Sequence, residues 1–169
     1  MALIRPEKRA DFDAIHRLLR ITFGREGEAR LVDRLRASGK MTAALVAQDN
    51  EYLLGHVVFS RIVIDAPAGA VGALALASLA VLPAFQRLGI GSALVSAGLE
   101  ECRAQHHPRV LVLGDAGFFV RFGFVPAAGF RVNGPIRALD SFAAIELDPG
   151  AFAGASGTAR YGPEFEDLE

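Results

Sequence analysis

The chain has 169 residues, 51% hydrophobic and 22% charged, which suits one folded unit with a real core and excludes a disordered protein. Its net charge of −1 gives no global attraction to nucleic acid or to an anionic membrane. A lone Cys102 cannot close an internal disulfide. Charges from Arg5 to Arg9 interrupt the apolar core that a signal peptide needs, so the expected location is cytoplasmic.

In chain order, Ala2 to Arg5 reads as a short strand ending at Pro6. Ala10 to Thr22 reads as a helix, with Phe12, Ile15, Leu18 and Leu19 on one face. Glu26 to Ala37 is a second helix, stopped by Ser38-Gly39. Thr42 to Gln48 and Tyr52 to Ile64 form a hairpin about Asp49-Asn50-Glu51. Ala66 to Phe85 carries no charge. Pro67, Gly69, Gly72 and Pro83 break it, and Ala73 to Ala77 alternate with a period of two. A buried strand from Ala73 to Val81 explains it better than a membrane span. A helix follows from about Ile90 to Gln105. Arg109 to Gly114 is a buried strand, Ala116 to Arg121 a short helix, Phe124-Val125 the start of another strand and Ser141 to Leu147 the last strand. Strand, helix and strand over residues 74–113 imply a right-handed parallel crossover. Hairpins before and after it make the sheet mixed α/β. Residues 1–169 read as a single domain, with 150–169 as a C-terminal tail.

Charge is uneven along this order. Residues 1–40 hold ten Lys/Arg against six Asp/Glu, whereas residues 160–169 hold Arg160 against Glu164, Glu166, Asp167 and Glu169. The simpler reading is a solvated acidic tail. The other is a tail docked on the basic N-terminal helices, within one chain or across a homodimer.

The turn after Val81 carries the chemistry. It runs Leu-Pro-Ala-Phe-Gln86-Arg87-Leu88-Gly89-Ile90-Gly91-Ser92, a strand end leading into a helix. Unpaired N–H groups at a helix start, with the positive end of the helix dipole behind them, form an anion site, and glycines let a phosphate approach the backbone. A Walker-type loop needs Lys and Ser/Thr after its last glycine, but Gly91 precedes Ser92-Ala93. A dinucleotide loop needs a small residue where Leu94 stands. An ordinary strand–turn–helix connection also fits a bare Gly-x-Gly.

The remaining pattern, Gln/Arg-x-x-Gly-x-Gly/Ala after a strand, resembles the coenzyme A loop of the GNAT acetyltransferases. Val-Leu-Val-Leu-Gly-Asp and then Phe118-Phe119-Val-Arg-Phe-Gly-Phe124 follow in the family's order. Together with Phe23-Gly-Arg-Glu-Gly-Glu-Ala-Arg-Leu-Val, these segments look like a bacterial subgroup of N-acetyltransferases carrying Gly-Asp-x-x-Tyr-Tyr-x-Arg-Phe-Gly-Phe. The likeness covers roughly residues 1–147. It implies the GNAT fold: a mixed, mostly antiparallel sheet with a central parallel strand pair, flanked by helices.

It also implies acetyl-CoA as cosubstrate, an amine acceptor and direct transfer, with no metal. Gln86, Arg87, Leu88, Gly89, Ile90, Gly91 and Ser92 would hold the pyrophosphate, and the strand edge at Leu79, Ala80 and Val81 would pair with the pantetheine amides. Arg87 serves equally well as an exposed cation at a helix start.

Family members commonly carry a Tyr four residues before the Gly of Arg-x-Gly-Phe, where it protonates the CoA thiolate. Here that residue is Phe119, which has no proton to give. Either water protonates the thiolate, or the chain is a catalytically weak acyl-CoA-binding sensor or partner module. Base candidates are Glu28, His56 and Asp115. Each has a plainer reading: a solvated helix carboxylate, a satisfied strand histidine and a helix N-cap. The Phe-rich residues 118–130 suggest an apolar acceptor wall with Arg131 or Arg137 at its rim, which favours a small or hydrophobic amine. His106 and His107 read as helix-end residues, since no Cys/His/carboxylate cluster has metal spacing.

Overall fold

The computed structural model describes residues 2–135, 141–166 and 168. Among these residues nine strands form one sheet: β1 (Leu3–Pro6), β2 (Met41–Asp49), β3 (Tyr52–Ala66), β4 (Gly69–Val81), β5 (Arg109–Leu113), β6 (Val125–Pro126), β7 (Val132–Asn133), β8 (Phe142–Glu146) and β9 (Gly157–Arg160). The order is β1-β2-β3-β4-β5-β8-β6, with β9 beside β3 and β7. Neighbours are antiparallel except β4–β5 and β7–β9. The helices are α1 (Phe12–Phe23), α2 (Gly27–Ser38), α3 (Ile90–Ala104) and the single-turn α4 (Ala116–Phe119).

Strand alternation assigns the two faces. Leu45, Val57, Phe59, Leu74, Leu76, Val110 and Val112 meet Leu94, Val95, Leu99 and Cys102 of α3, together with Phe119 and Phe124. Val46, Val58 and Ala80 point the other way, into Ile15, Leu18 and Leu19 of α1 and Ala29 and Val32 of α2. Farther along that second face, Ile62, Ile64, Ala75 and Leu111 pack under Phe152, Ala155 and Ala159 of the C-terminal segment. Helix α3 can lie close to the sheet because Gly98 has no side chain: a Cβ there would stand 2.2 Å from the Phe59 ring.

Three expectations need correction. The strand expected to begin at Ala73 begins at Gly69, because β3 offers ladder partners from Val63 to Ala66 to a segment whose small side chains carry little pattern. The described residues from 150 onward are not a solvated tail: β9 joins the sheet, and Glu164 is buried against Lys40 with an oxygen 3.0 Å from Nζ. The acidic segment therefore docks within its own chain, just beyond the end of α2. Phe130 leaves the Phe-rich wall and stacks on Phe152, with ring centroids 4.5 Å apart.

Candidate active site

The β4–β5 pairing covers only Leu74–Leu76 against Val110–Val112. Strand β4 runs on to Val81, whereas β5 ends at Leu113 and turns through Gly114 into α4, so the sheet splits into a fork. The apex coincides with a β-bulge. Phe59 pairs with Leu76 and Val58 with Ser78, leaving Ala77 as an extra residue on β4. The bulge shifts the alternation by one. Leu79 joins the α3 side beside Leu76, and Ala80 turns toward α1. Beyond the apex, no strand among the described residues lies along the β5-facing edge of Leu79–Val81, which can pair with an extended ligand.

A cavity of about 970 Å³ fills the fork. At one end lies the turn. Pro83–Phe85 form a 3-10 turn, and Arg87 (φ 64°) and Gly89 (φ 87°) adopt the left-handed conformation before α3 begins at Ile90. No side chain caps α3, so its first-turn N–H groups are left without intrahelical acceptors beside the cavity. The Gln86 side-chain amide donates to the Val81 carbonyl at 2.9 Å, fastening the turn to the end of β4. Leu79, Val81, Gln86, Arg87, Gly89, Gly91 and Ser92 line the cavity. Ala80 packs under α1, Ile90 packs on the α3-side core, and Leu88 points outward, 69% exposed.

The other candidates separate. Glu28 lines the cavity near the start of α2, is 7% exposed and takes a two-point contact from Arg25 at 2.9 and 2.6 Å. Asp115 also lines it, and its carboxylate accepts from Gly117 N–H at 2.9 Å as the N-cap of α4. Phe119 lines it from the α3 side, edge-on to Phe118 and Phe124. His56 does not. It is fully buried on the α1 side, with Nε2 2.9 Å from Glu7, whose carboxylate also takes Arg36. Burial pushes the Glu7 carboxyl up, but the His56 hydrogen bond and the His56 and Arg36 charges outweigh it and hold the group below its ordinary value. Arg131 is exposed and away from the cavity, and Arg137 lies outside the described residues.

Several lining residues escape a reading of the sequence. Arg121 reaches Ser92 Oγ at 3.4 Å and lies over the Phe118 ring, placing a cation beside the α3 start. Ser78, at the bulge, is buried, and its Oγ has no hydrogen-bond partner among the described residues. Phe23, Tyr161, Phe165 and Leu168 also line the cavity. The Arg of Arg-Phe-Gly-Phe was a signal for the first. Nothing local marks the others.

Such a cleft suits a long ligand, anionic at one end and extended along β4, meeting a second molecule beside Glu28. The chain belongs to the acetyltransferase (GNAT) family, whose model matches residues 12–124. It is 33% identical over 165 residues to the uncharacterised N-acetyltransferase YhbS of Escherichia coli K12, covering 96% of this chain and 98% of the relative. The crystal structure of E. coli YhbS in complex with CoA superposes with a TM-score of 0.92 at 32% identity, over 99% of this chain and 93% of that one. A GNAT family acetyltransferase from Brucella melitensis in complex with acetyl-CoA gives 0.82 at 29% identity, over 98% and 99%. Among the described residues, no helix is long and apolar enough to cross a membrane, and no cluster of His, Cys, Asp or Glu is arranged to hold a metal ion.

Proposed function

We propose that this protein moves the acetyl group of acetyl-CoA to a primary amine by direct attack. The observation that carries the reading is the forked β4–β5 edge leading to an uncapped helix start. The pyrophosphate rests on the N–H groups of Gly89 to Ser92 with Arg87 and Arg121 beside it, and the pantetheine pairs along Leu79–Val81. The thioester then lies at the apex, where a backbone N–H of β4 polarises its carbonyl. Glu28 faces the opposite end and takes the amine proton, directly or through one water. Direct attack is supported by the state of the chain's one thiol. Cys102 is buried in the core, and burial, with the nearby Glu101 charge, pushes it up to about 12, so it cannot serve as an acyl carrier.

Among the described residues, the acceptor end sets the Glu28 carboxylate beside Phe23, Phe165 and Leu168, which favours a small amine with an apolar body over a polyamine. The reading includes a cytosolic location. Phe119 supports a second reading, an acyl-CoA-binding sensor with little turnover. Thiol release from acetyl-CoA across a panel of apolar and polycationic amines separates the two. Stabilisation by CoA and acetyl-CoA, but not by NAD, in a thermal-shift titration checks the cofactor. Release with no amine in the panel above the buffer rate defeats the transferase reading.

A further inference from the structure

Transfer to an amine leaves a thiolate at the apex of the fork, and Phe119 offers it nothing. The chain has two tyrosines. Tyr52 is 66% exposed at the start of β3, in the β2–β3 hairpin. Tyr161 lines the cavity. Its position follows from the ladder. Arg160, the last residue of β9, pairs with Val63, so Tyr161 continues toward Ile62, which pairs with Ala73. The ring packs against the cluster containing Ala75 and Leu111, the rung of the β4–β5 ladder next to the apex. The apex rung itself, Leu76 and Val112, points its side chains to the opposite face, where Phe119 sits. Phe119 and Tyr161 thus line one cavity while packing on opposite faces of the sheet.

Resting on the transferase reading above, we propose that Tyr161 is the proton donor to the departing CoA sulfur, in place of the residue that Phe119 cannot be. As the C–N bond forms and the C–S bond breaks, the C–S electron pair goes to sulfur and the phenol proton follows it. The phenol oxygen is reloaded with the proton that the new ammonium gives up, through water held at Glu28. The balance is one proton moved from nitrogen to sulfur, with tyrosine and glutamate unchanged. Burial pushes the phenol above its ordinary value, so the group rests protonated between turnovers and presents an O–H donor, not a phenolate, to the departing sulfur. Of the other described lining groups, Arg87, Arg121 and Ser92 belong to the anion end. Asp115 caps α4, and the Ser78 hydroxyl is a far weaker acid than a phenol. The Tyr161 ring is braced edge-on by Phe165 at 5.0 Å, and the Lys40–Glu164 pair ties that segment to the end of α2.

Tyr161→Phe keeps the ring and removes only the hydroxyl. It is expected to lower kcat about 10²-fold while leaving the Kd for acetyl-CoA within about twofold, a change too small to signal a lost hydrogen bond. Adding Phe119→Tyr to that variant restores at least about tenfold, and Tyr52→Phe changes nothing. A second readout needs no turnover. The thiol of bound CoA, followed by the ultraviolet absorbance of its thiolate, titrates at lower pH in the wild type than in Tyr161→Phe. An unchanged kcat, a loss confined to the KM of the amine, or identical thiol titrations overturns the proposal. A wild type that binds CoA and shifts its thiol but releases none across the amine panel sinks the transferase reading while supporting the Tyr161 contact. Failure to bind CoA removes both.

Discussion

Gly91→Ala separates the two jobs of the α3 start, holding a helix and holding a phosphate. A Cβ at Gly91 would stand 3.7 Å from Phe118 Cζ and 3.8 Å from Val81 Cγ2, ordinary contact distances, and the residue is helical with no positive φ. The methyl group therefore fits without strain. Alanine exceeds glycine by up to about 1 kcal/mol in a helix interior, and a first-turn position should realise about half of that. At about 2–4 °C per kcal/mol for a chain of this size, Tm rises by about 1–2 °C. The same methyl projects into the cavity where the phosphate must reach the backbone. Losing one charge-assisted hydrogen bond costs about 1.5–3 kcal/mol, a weakening of CoA binding on the order of 10- to 100-fold. Differential scanning fluorimetry of the free protein and calorimetric titration with CoA measure the two effects separately. A variant that is more stable and binds CoA as tightly as the wild type would refute placement of the pyrophosphate on this amide.

Gly98→Ala should do the reverse of Gly91→Ala, forcing the Phe59 ring and α3 apart and lowering Tm by calorimetry with little effect on the CoA affinity of the surviving folded protein. Glu28→Gln is expected to lower kcat about 10²-fold at neutral pH with acetyl-CoA affinity unchanged, measured by thiol release and by titration. Lys40→Ala leaves Glu164 buried without its cation, so the 161–168 segment should become easier to cleave by limited proteolysis and the KM for the amine should rise. Glu7 carries a pH dependence with a definite sign. Its carboxyl is held below the ordinary 4.5 in the folded state, so its stabilising share is complete above that value and disappears as pH falls through the folded value. Urea midpoints of the wild type should fall on acidification below about pH 4.5, and Glu7→Gln should be less stable at neutral pH but flatter across that window.

The anion end of the site could be read from the sequence because its chemistry is local. A strand end, a proline, two glycines and a helix lie in one short run, and the backbone supplies the ligands. The parallel crossover was legible for the same reason, since Val110–Val112 and the α3 periodicity are each self-contained. The acceptor end was not. Tyr161 and Glu164 follow β9, a four-residue strand of Gly-Thr-Ala-Arg with no alternation to reveal it, and their neighbours Ile62 and Lys40 are about a hundred residues away. His56 fits the plainer of its two readings, a satisfied strand histidine, but its partner Glu7 and the Arg36 that shares it come from other elements and were not marked in the sequence. The bulge was hidden by Ala75-Leu-Ala-Ser78, where small side chains blur which face each residue should take.

That bulge makes the enzyme sensitive to number rather than to kind. Many side chains can change in β4 with the architecture kept, but excision of Ala77 alone would restore strict alternation. Leu79 and Val81 would keep their side, since Val57 and Gly55 still pair with them, but the ladder would run unbroken past Leu76 and lose the local bend and extra twist that part β4 from β5. A lineage of such enzymes is therefore free to vary its letters at this point of the strand and forbidden to drop one.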